Sequence, residues 1–205
     1  MLIFNSVKSL FIFVFVNSKV KILIIRFSSI GDIVLTTPVI RCLKEQFDGD
    51  VEIHYLTKKQ YNTVVEHNPH ISKIHTIVKS TSEIVDELTA LEFDYVIDLH
   101  KNIRSKRLIK RLKCISFSFD KVNYKKWLLT TFKINKLPKT HIVDRYLNAV
   151  KSFGIKNDNK GLDYFVGEKG YVNLTELPVS HQTGYVAFAI GAQHFTKRLP
   201  LHKII

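Results

Sequence analysis

Three polar loops follow predicted buried strands, and their residues are of types that bind anionic ligands or remove protons. These loops span residues 26–38, 98–107 and 189–200. Glycine lets a ligand approach the backbone closely, lysine and arginine supply positive charge, and aspartate can act as a base. The three loops are therefore the places where ligand contacts are expected.

The first loop, RFSSIGDIVLTTP, places Asp32 where a helix begins. A carboxylate there can take the proton of a sugar hydroxyl, and transfer with inversion needs only one such base. Aspartate is also favoured at helix starts, because its side chain accepts hydrogen bonds from free amides and complements the helix dipole. The dipole would lower the pKa of Asp32 and weaken it as a base, and a tight turn explains Gly31 equally well. Both roles of Asp32 stay open at this stage.

The second loop, DLHKNIRSKR, brings Lys101 and Arg104 to the start of another helix. Free amides and cations at a helix start attract phosphate or carboxylate groups. The alternative is a basic surface helix, with Asp98 capping the end of the preceding strand. We expect His100 to be a packed or hydrogen-bonded histidine.

The third loop, AIGAQHFTKRLP, combines close backbone approach at Gly191 and Ala192 with the polar run Thr196, Lys197 and Arg198. This combination suits a diphosphate leaving group, because a lysine would offset the charge that builds on the departing phosphate. The chain contains neither GxGxxG nor GxxxxGK[ST]. A nicotinamide-dinucleotide or P-loop site is therefore not predicted.

Strands and helices alternate along residues 20–153, which positions these loops at one edge of a sheet. Strand patterns occur at residues 20–27, 51–56, 73–78, 95–99 and 114–119, of which the first is almost continuously apolar and the last alternates. Helical patterns occur at residues 32–47, with a kink expected at Pro38, and at 58–67, 80–92, 104–112 and 141–153. This order predicts an α/β protein with a Rossmann-like parallel sheet, helices on both faces and ligands at the carboxyl ends of the strands.

The composition of the 205-residue chain is that of a globular protein in a reducing compartment. Hydrophobic residues make up 45% and charged residues 24%, and the cysteines, Cys42 and Cys114, lack metal-ligand spacing. Buried free thiols are therefore expected rather than a disulfide or a zinc site. The nine histidines also lack ligand spacing, so we predict no protein-built metal site.

Positive charge is concentrated in one part of the chain, whose total formal charge is +13. Residues 101–139 hold thirteen lysines and arginines against the single acidic residue Asp120. Such a cluster attracts nucleic acid, an anionic membrane surface or a phosphorylated substrate. The alternative is a solvated basic helix face, and residues 122–139 are expected to be at most partly helical.

The two ends of the chain differ from its middle. Residues 1–19 contain the apolar run LFIFVFV and are interpreted as an extension outside the fold, with a membrane-surface anchor and an extra strand as alternatives. Residues 185–190 have a buried-strand pattern, and Pro200 marks a helix start. We expect this strand to open a second α/β domain of which the chain, ending at Ile205, holds only the beginning.

The motifs ILIIRFSSIGDIVLTTPVIRCLK, YVIDLHKNIRS and IGAQHFTKRLP, in this order, resemble those of the ADP-heptose:lipopolysaccharide heptosyltransferases of glycosyltransferase family nine. The resemblance covers the chain from Val20 onward. It implies the acceptor-side, N-terminal half of a GT-B fold at residues 20–165, a linker at 166–184 and the start of a truncated donor-binding domain at 185–205. Leu199 departs from the family pattern, which usually has an aromatic residue there.

The resemblance implies an inverting, metal-independent transfer of heptose or a related sugar from an ADP-sugar to the lipid A–Kdo inner core of lipopolysaccharide. It implies that Asp32 is the general base toward the acceptor hydroxyl and that Lys197 contacts the donor diphosphate. The other expected acceptor-binding residues are Ser28, Ser29, Gly31, Lys101, Asn102 and Arg104. The other expected donor-binding residues are Gly191, Ala192, Gln193 and Thr196. The ADP-sugar is a co-substrate, and no cofactor is expected.

The resemblance also supplies a partner for the basic segment, because phosphorylated lipid A and the inner face of the cytoplasmic membrane are both anionic. We therefore expect a cytoplasmic enzyme at the periphery of that membrane, and we expect that this chain alone does not transfer sugar. Two alternatives differ in class. One is a non-enzymatic remnant or half-module that needs a partner chain, and the other is a basic α/β domain that binds nucleic acid.

Overall fold

The computed structural model describes residues 19–188, 191–192 and 195–203. The chain divides into two compact units, and the second begins at Val166. Three predictions concern other positions: the structure of the extension at residues 1–18, the last two residues of the strand at 185–190, and Gln193 as a donor contact. These lie outside the described residues.

The first unit is built on a parallel five-stranded sheet, which confirms the predicted α/β fold class. Its strands are β1 (Val20–Ile25), β2 (Val51–Lys58), β3 (Lys73–Ile77), β4 (Tyr95–Asp98) and β5 (Ile115–Ser118). The strand order is β3-β2-β1-β4-β5, and every neighbouring pair is parallel. The chain crosses from β3 at one edge to β4 on the other side of β1. The order therefore reverses between β1 and β4, and ligands of doubly wound sheets bind at the carboxyl ends of such strands.

Helices cover both faces of this sheet. They are α1 (Ile30–Val34), α2 (Thr37–Gln46), α3 (Val85–Ala90), α4 (Ile103–Leu112), α5 (Asn123–Phe132) and α6 (Ile142–Leu147). Ile24 packs in one buried cluster with residues of α2 and α6, and Ile25 packs in another with residues of α3 and α4. Neighbouring side chains of β1 thus pack on opposite faces of the sheet, because side chains alternate along a strand.

Several predicted helices differ in detail from the observed ones. The segment with the expected kink at Pro38 is two helices, because α1 ends at Val34 and Pro38 lies in the first turn of α2, where no amide donor is required. Short 3-10 helices span Lys59–Val64, Thr81–Glu83 and Asn148–Phe153, within the helices predicted at 58–67, 80–92 and 141–153. Such tight turns are common at the ends of helices and in connectors.

The described part of the second unit consists of short helical turns. It contains α7 (Val179–Gln182) and 3-10 helices at Glu168–Gly170, Leu174–Glu176, Phe195–Lys197 and Leu201–Lys203. The strand predicted at residues 185–190 does not form at its described positions, 185–188. A strand needs a partner for its backbone hydrogen bonds, and the described residues of this unit include no other strand.

Candidate functional site

A buried arginine joins the loops that follow β1 and β4. Arg26 comes directly after β1 and is 8% exposed. Its Nη1 donates a hydrogen bond to the carbonyl oxygen of Leu99 at 2.6 Å, and its Nε donates to that of Ser28 at 2.8 Å. A planar guanidinium has five donors in a fixed arrangement, which suits it to hold two loops at once. Arg26 therefore fixes the geometry at the point where the strand order reverses.

Asp32 lies in the first turn of α1, after the N-cap residue Ser29. Its Oδ2 accepts hydrogen bonds from the amide and the hydroxyl of Ser29 at 3.2 and 3.0 Å, and lies 2.9 Å from Nη2 of Arg26. No described residue donates to its other oxygen, Oδ1. The Asp32 side chain is 40% exposed. One carboxylate oxygen is therefore held by the protein, and the other has no hydrogen-bond partner among the described residues.

The surroundings of Asp32 determine its protonation state. Burial raises the pKa of Asp32, but the Ser29 amide, the charge of Arg26 and the Ser29 hydroxyl outweigh it, so the pKa lies below its ordinary value of 3.8. The carboxylate is ionised at neutral pH and can accept a hydrogen bond from a hydroxyl group, although it is a weak base. The capping contact that the sequence suggested is present, and it leaves Oδ1 unused.

Tyr146 on α6 supports the Arg26 guanidinium. Nη1 of Arg26 donates to the Tyr146 hydroxyl at 3.0 Å, and the guanidinium carbon lies 5.7 Å from the centre of the ring. Tyr146 itself is buried and packs edge to face against Phe119. Arg26 and Tyr146 are not among the predicted site residues. A charged residue inside the otherwise apolar strand pattern at residues 20–27 was a signal for Arg26, whereas periodicity marks Tyr146 only as part of the core face of its helix.

The loop after β4 is organised by Asp98, a buried carboxylate. Its Oδ1 accepts from the amides of His100 and Lys101 at 3.0 and 2.7 Å, and its Oδ2 accepts from the hydroxyl of Ser105 at 2.6 Å. Asn102 is the N-cap of α4, and its side-chain oxygen accepts from the Ser105 amide at 2.9 Å. The predicted acceptor contact Asn102 thus has its oxygen engaged in starting the helix.

Two lysines close this loop from the side of β5. Nζ of Lys101 donates to the carbonyl of Phe119 at 2.7 Å, and Nζ of Lys121 donates to the carbonyls of His100 and Lys101, each at 3.3 Å. Burial lowers the pKa of Lys121, and the charge of Arg26 lowers it further. The predicted residues Lys101, Asn102 and Arg104 line one open groove together with Ile103, Lys106, Lys121 and Asn123. Lys121 was not predicted individually, although it belongs to the basic segment.

His100 packs beside the same loops, as expected. Its ring lies edge to face against Phe27, with 4.9 Å between ring centres. Burial, assisted by the charges of Arg26 and Lys121, lowers the pKa of His100 to about 4, so the imidazole is neutral at pH 7. Its Nδ1 is buried without a hydrogen-bond partner among the described residues.

The predicted donor contacts lie in the second unit. Thr196 and Lys197 belong to a 3-10 helix, and Gly191 and Ala192 precede it in the sequence. Nε of Arg198 donates to the carbonyl oxygen of Ala192 at 2.7 Å, which folds this loop onto itself. The acceptor-side and donor-side predictions thus fall on different units.

The cysteines, the possible metal ligands and the lengths of the helices complete the description of these residues. Cys42 and Cys114 are free, and burial raises the pKa of both thiols. Within the part of the chain that the structure describes, no group of three or more histidine, cysteine, aspartate or glutamate residues is placed to hold a metal ion. No helix there has the length and apolar character needed to cross a bilayer.

Comparison with known proteins identifies relatives of one kind. No family model matches the chain. It is 28% identical to lipopolysaccharide heptosyltransferase 1 of Campylobacter coli over 123 residues, which are 57% of this chain and 36% of the relative. Its fold matches a family 9 glycosyl transferase of Veillonella parvula with a TM-score of 0.66 at 23% identity, covering 90% of this chain and 57% of the other. It also matches heptosyltransferase WaaC of Escherichia coli, solved with ADP, with a TM-score of 0.54 at 21% identity, covering 70% and 50%.

The chain spans between about a third and three fifths of the length of these proteins. The structural matches establish a shared Rossmann-like fold, and the sequence match points to the same group of proteins as the motifs. In sequence the chain is therefore similar to the lipopolysaccharide heptosyltransferases, and in fold it is similar to glycosyl transferases of family nine.

Proposed function

We propose that this chain forms the acceptor-side part of a sugar transferase of the heptosyltransferase type, with Asp32 as the base. The observation that carries the proposal is the position of the Asp32 carboxylate at the reversal of the strand order. The protein holds this 40% exposed side chain through Oδ2, and Oδ1 has no hydrogen-bond partner among the described residues. An acceptor hydroxyl that donates to Oδ1 would have its oxygen free to attack the sugar.

The reaction is a transfer with inversion. The acceptor oxygen forms a bond to the anomeric carbon of the donor sugar, the bond from that carbon to the diphosphate oxygen breaks on the opposite face, and Asp32 takes the hydroxyl proton. A carboxylate with a lowered pKa accepts this proton late, because the hydroxyl becomes strongly acidic only as its oxygen bonds to the anomeric carbon. Arg26 is a positioning residue here, since it orients the carboxylate without touching the substrates.

Anionic groups of the acceptor would bind in the groove beside α4. Lys101, Arg104 and Lys121 line that groove, and lysine and arginine are the side chains that bind phosphate and carboxylate groups most strongly. A lipid A–Kdo acceptor carries both kinds of group. Ser28 and Ser29, which precede α1, and Gly31, in its first turn, would contact the sugar that bears the reacting hydroxyl.

The donor in this proposal is an ADP-sugar such as ADP-heptose. The Escherichia coli neighbour was solved with ADP, and this supports an adenine nucleotide donor for the present chain. Lys197 and Thr196, together with the backbone at Gly191, Ala192 and Gln193, would contact the diphosphate. A lysine there stabilises the charge that builds on the leaving group, which is the reason a metal ion is not required.

The partner surface in this proposal is an anionic membrane, contacted through α5. Tyr124, Trp127 and Phe132 are 69%, 49% and 56% exposed, yet their rings contact one another at centre distances of 5.9 and 5.2 Å. The lysines around them are Lys125, Lys126, Lys133, Lys136 and Lys139. Aromatic rings favour the headgroup level of a bilayer, and lysines are attracted to anionic lipids. In this proposal the enzyme acts at the inner face of the cytoplasmic membrane, and the exposed rings and lysines of this segment support a contact with anionic lipid.

Replacing Asp32 by asparagine tests the proposed base. Heptose transfer from ADP-heptose to Kdo–lipid A is measured by mass spectrometry, with this chain alone and with the chain joined to the donor-side domain of a family nine enzyme. Asp32→Asn should lower kcat by roughly 10²- to 10⁴-fold while acceptor affinity is retained. The matched control is Asp48→Asn, an exposed aspartate outside the site. A kcat within the range of the control would leave Asp32 only its capping role.

A further inference from the structure

Helix α4 presents three arginines along one face. Arg104, Arg107 and Arg111 are three and four positions apart, which is the spacing of residues on the same side of a helix. This face lines a pocket together with the hydroxyl-bearing residues Ser80, Thr81 and Ser82 from the loop that follows β3. The pocket thus brings three guanidinium groups and three hydroxyl groups together on the α3 and α4 face of the sheet.

The positive charge of this pocket is not neutralised by the described part of the chain. None of its ion pairs involves Arg104, Arg107 or Arg111. Glu83 is the acidic residue next to the hydroxyl run, but its carboxylate accepts hydrogen bonds from the amides of residues 78–80 at 2.7 to 2.8 Å. The Glu83 carboxylate therefore stabilises the turn at residues 78–80, and the N–H groups of the three arginines remain available to another acceptor.

Three like charges on one helix face repel one another, and an anion that bridges them removes this repulsion. The number of donors indicates which anion fits best. Each guanidinium offers several N–H donors in a planar fork. The hydroxyls of Ser80 and Thr81 add two more, whereas the Ser82 hydroxyl donates to the Ser80 oxygen at 2.9 Å. A carboxylate has two oxygens and one charge, whereas a phosphomonoester has three terminal oxygens and close to two charges at neutral pH.

We infer that the pocket formed by Arg104, Arg107, Arg111 and the hydroxyls of residues 80–82 binds a phosphomonoester group. Arg104 lines both this pocket and the groove beside Lys101, whereas Arg107 and Arg111 line this pocket and not the groove, so the proposed site adjoins the first and is distinguished from it by Arg107 and Arg111. The phosphate can belong to a soluble sugar phosphate or to a lipid headgroup. The inference does not depend on the transferase proposal, because it concerns binding alone.

Binding to two kinds of phosphate tests the inference. The full chain is titrated with glucose 6-phosphate by calorimetry, and with phosphatidylcholine vesicles that contain phosphatidic acid by sedimentation. Vesicles in which phosphatidylglycerol supplies the same charge serve as the phosphodiester comparison. Replacing both Arg107 and Arg111 by glutamine should weaken phosphomonoester binding about tenfold or more, because two charge-assisted contacts are lost.

The matched control also removes two positive charges from the C-terminal part of this helix, but from residues that do not line the pocket. Lys110→Gln with Lys113→Gln should weaken binding by less than about twofold if the contacts are local. Circular dichroism of both double variants checks that α4 is retained. If only the arginine variant binds more weakly, and it does so with both probes, the pocket accepts soluble phosphate. If the arginine variant binds only the phosphatidic acid vesicles more weakly, the pocket binds a lipid headgroup. Equal losses in both variants, or no loss with either probe, would overturn the inference.

Discussion

The guanidinium of Arg26 lies 2.9 Å from the carboxylate of Asp32. The same guanidinium donates to the carbonyl of Leu99, the residue after β4. The charge that holds the proposed base in its ionised form is therefore also the group that ties two strand ends together. Electrostatics and architecture at this site depend on one side chain, so changes near Arg26 should be detected in both the pKa of Asp32 and the stability of the fold.

Ser29→Ala should raise the pKa of Asp32. The substitution removes the hydroxyl that donates to Oδ2 and leaves the amide donor and Arg26 in place. The pKa is followed by carbon-13 NMR of the Asp32 carboxyl group, and the acidic limb of kcat/KM in a transfer assay should move to higher pH with it. Ser28→Ala is the matched control, because Ser28 contacts Arg26 through its backbone carbonyl, which is unchanged. Equal titration curves for the two variants would contradict the assigned contact.

Tyr146→Phe should destabilise the fold although it removes only one oxygen atom. The hydroxyl of Tyr146 accepts from Nη1 of the buried Arg26, and a charged donor left without this acceptor costs about 1–3 kcal/mol. Urea unfolding at pH 7 measures the change. Tyr95→Phe is the control, because the hydroxyl of Tyr95 forms no hydrogen bond with the described residues. A Tyr146 variant as stable as the Tyr95 variant would show that the contact is dispensable.

The histidine pair between β2 and β3 should make stability depend on pH. Nδ1 of His54 lies 2.8 Å from Nε2 of His75, whose Nδ1 lies 3.0 Å from Glu87. Burial and the charge of His54 lower the pKa of His75, the charge of Glu87 opposes them, and the resulting pKa is about 4. In the unfolded chain this histidine binds its proton near pH 6.5. The contribution of neutral His75 to the free energy of unfolding is therefore fully present above pH 6.5 and is lost as the pH falls toward about 4.

Replacing His75 by glutamine checks that assignment. The free energy of unfolding is measured in urea between pH 4 and pH 7.5, and the variant should show a shallower decline on acidification than the native chain. The control is His67→Gln, a change at an exposed histidine. If the His75 and His67 variants both retain the native slope, another group causes the acid sensitivity.

Arg41→Met should release the segment that follows the last helical turn of the first unit. The Arg41 side chain is buried on α2, where Nε and Nη2 bind the carboxylate of Asp158 at 2.7 and 2.9 Å, and it also contacts Asp163 and the carbonyl of Gly161. Removing one partner of a buried ion pair costs about 3–5 kcal/mol. Urea unfolding measures the effect.

The control for Arg41 is an exposed ion pair in the same region. Lys160→Met removes the contact with Glu45 at 3.1 Å and should cost less than about 1 kcal/mol, because solvent screens exposed pairs. If both substitutions lower the free energy of unfolding by similar amounts, the burial of the Arg41 ion pair does not increase its contribution to stability.

Replacing Trp127 by alanine should weaken binding to anionic vesicles. The indole contributes apolar area at the interface, and the surrounding lysines contribute the salt-sensitive part. The probe is a vesicle of phosphatidylcholine and phosphatidylglycerol, with sedimentation as the readout at low and high salt. Phe188→Ala is the control, because Phe188 is an exposed aromatic residue of the second unit. Tighter binding to random DNA than to these vesicles would favour the nucleic-acid alternative instead.

Local patterns predicted the elements of the first unit well where strands are buried on both faces. Residues 20–27 are almost continuously apolar, and β1 forms there with Ile22–Ile25 fully buried. The same kind of pattern at residues 185–190 did not produce a strand at 185–188. The difference is physical, because β1 has two neighbouring strands to pair with, and the described part of the second unit offers none.

The sequence by itself determined the α/β order, the loops at the strand ends and the Asp32 motif, because each depends on residues close together in the chain. Only the tertiary structure decided that Arg26 contacts Leu99 and Tyr146, which lie 73 and 120 positions away. Those contacts follow from the strand order and from the packing of α6 against the sheet, and no local period encodes either. The candidate base could therefore be found from its motif, whereas the side chains that hold it in place could not.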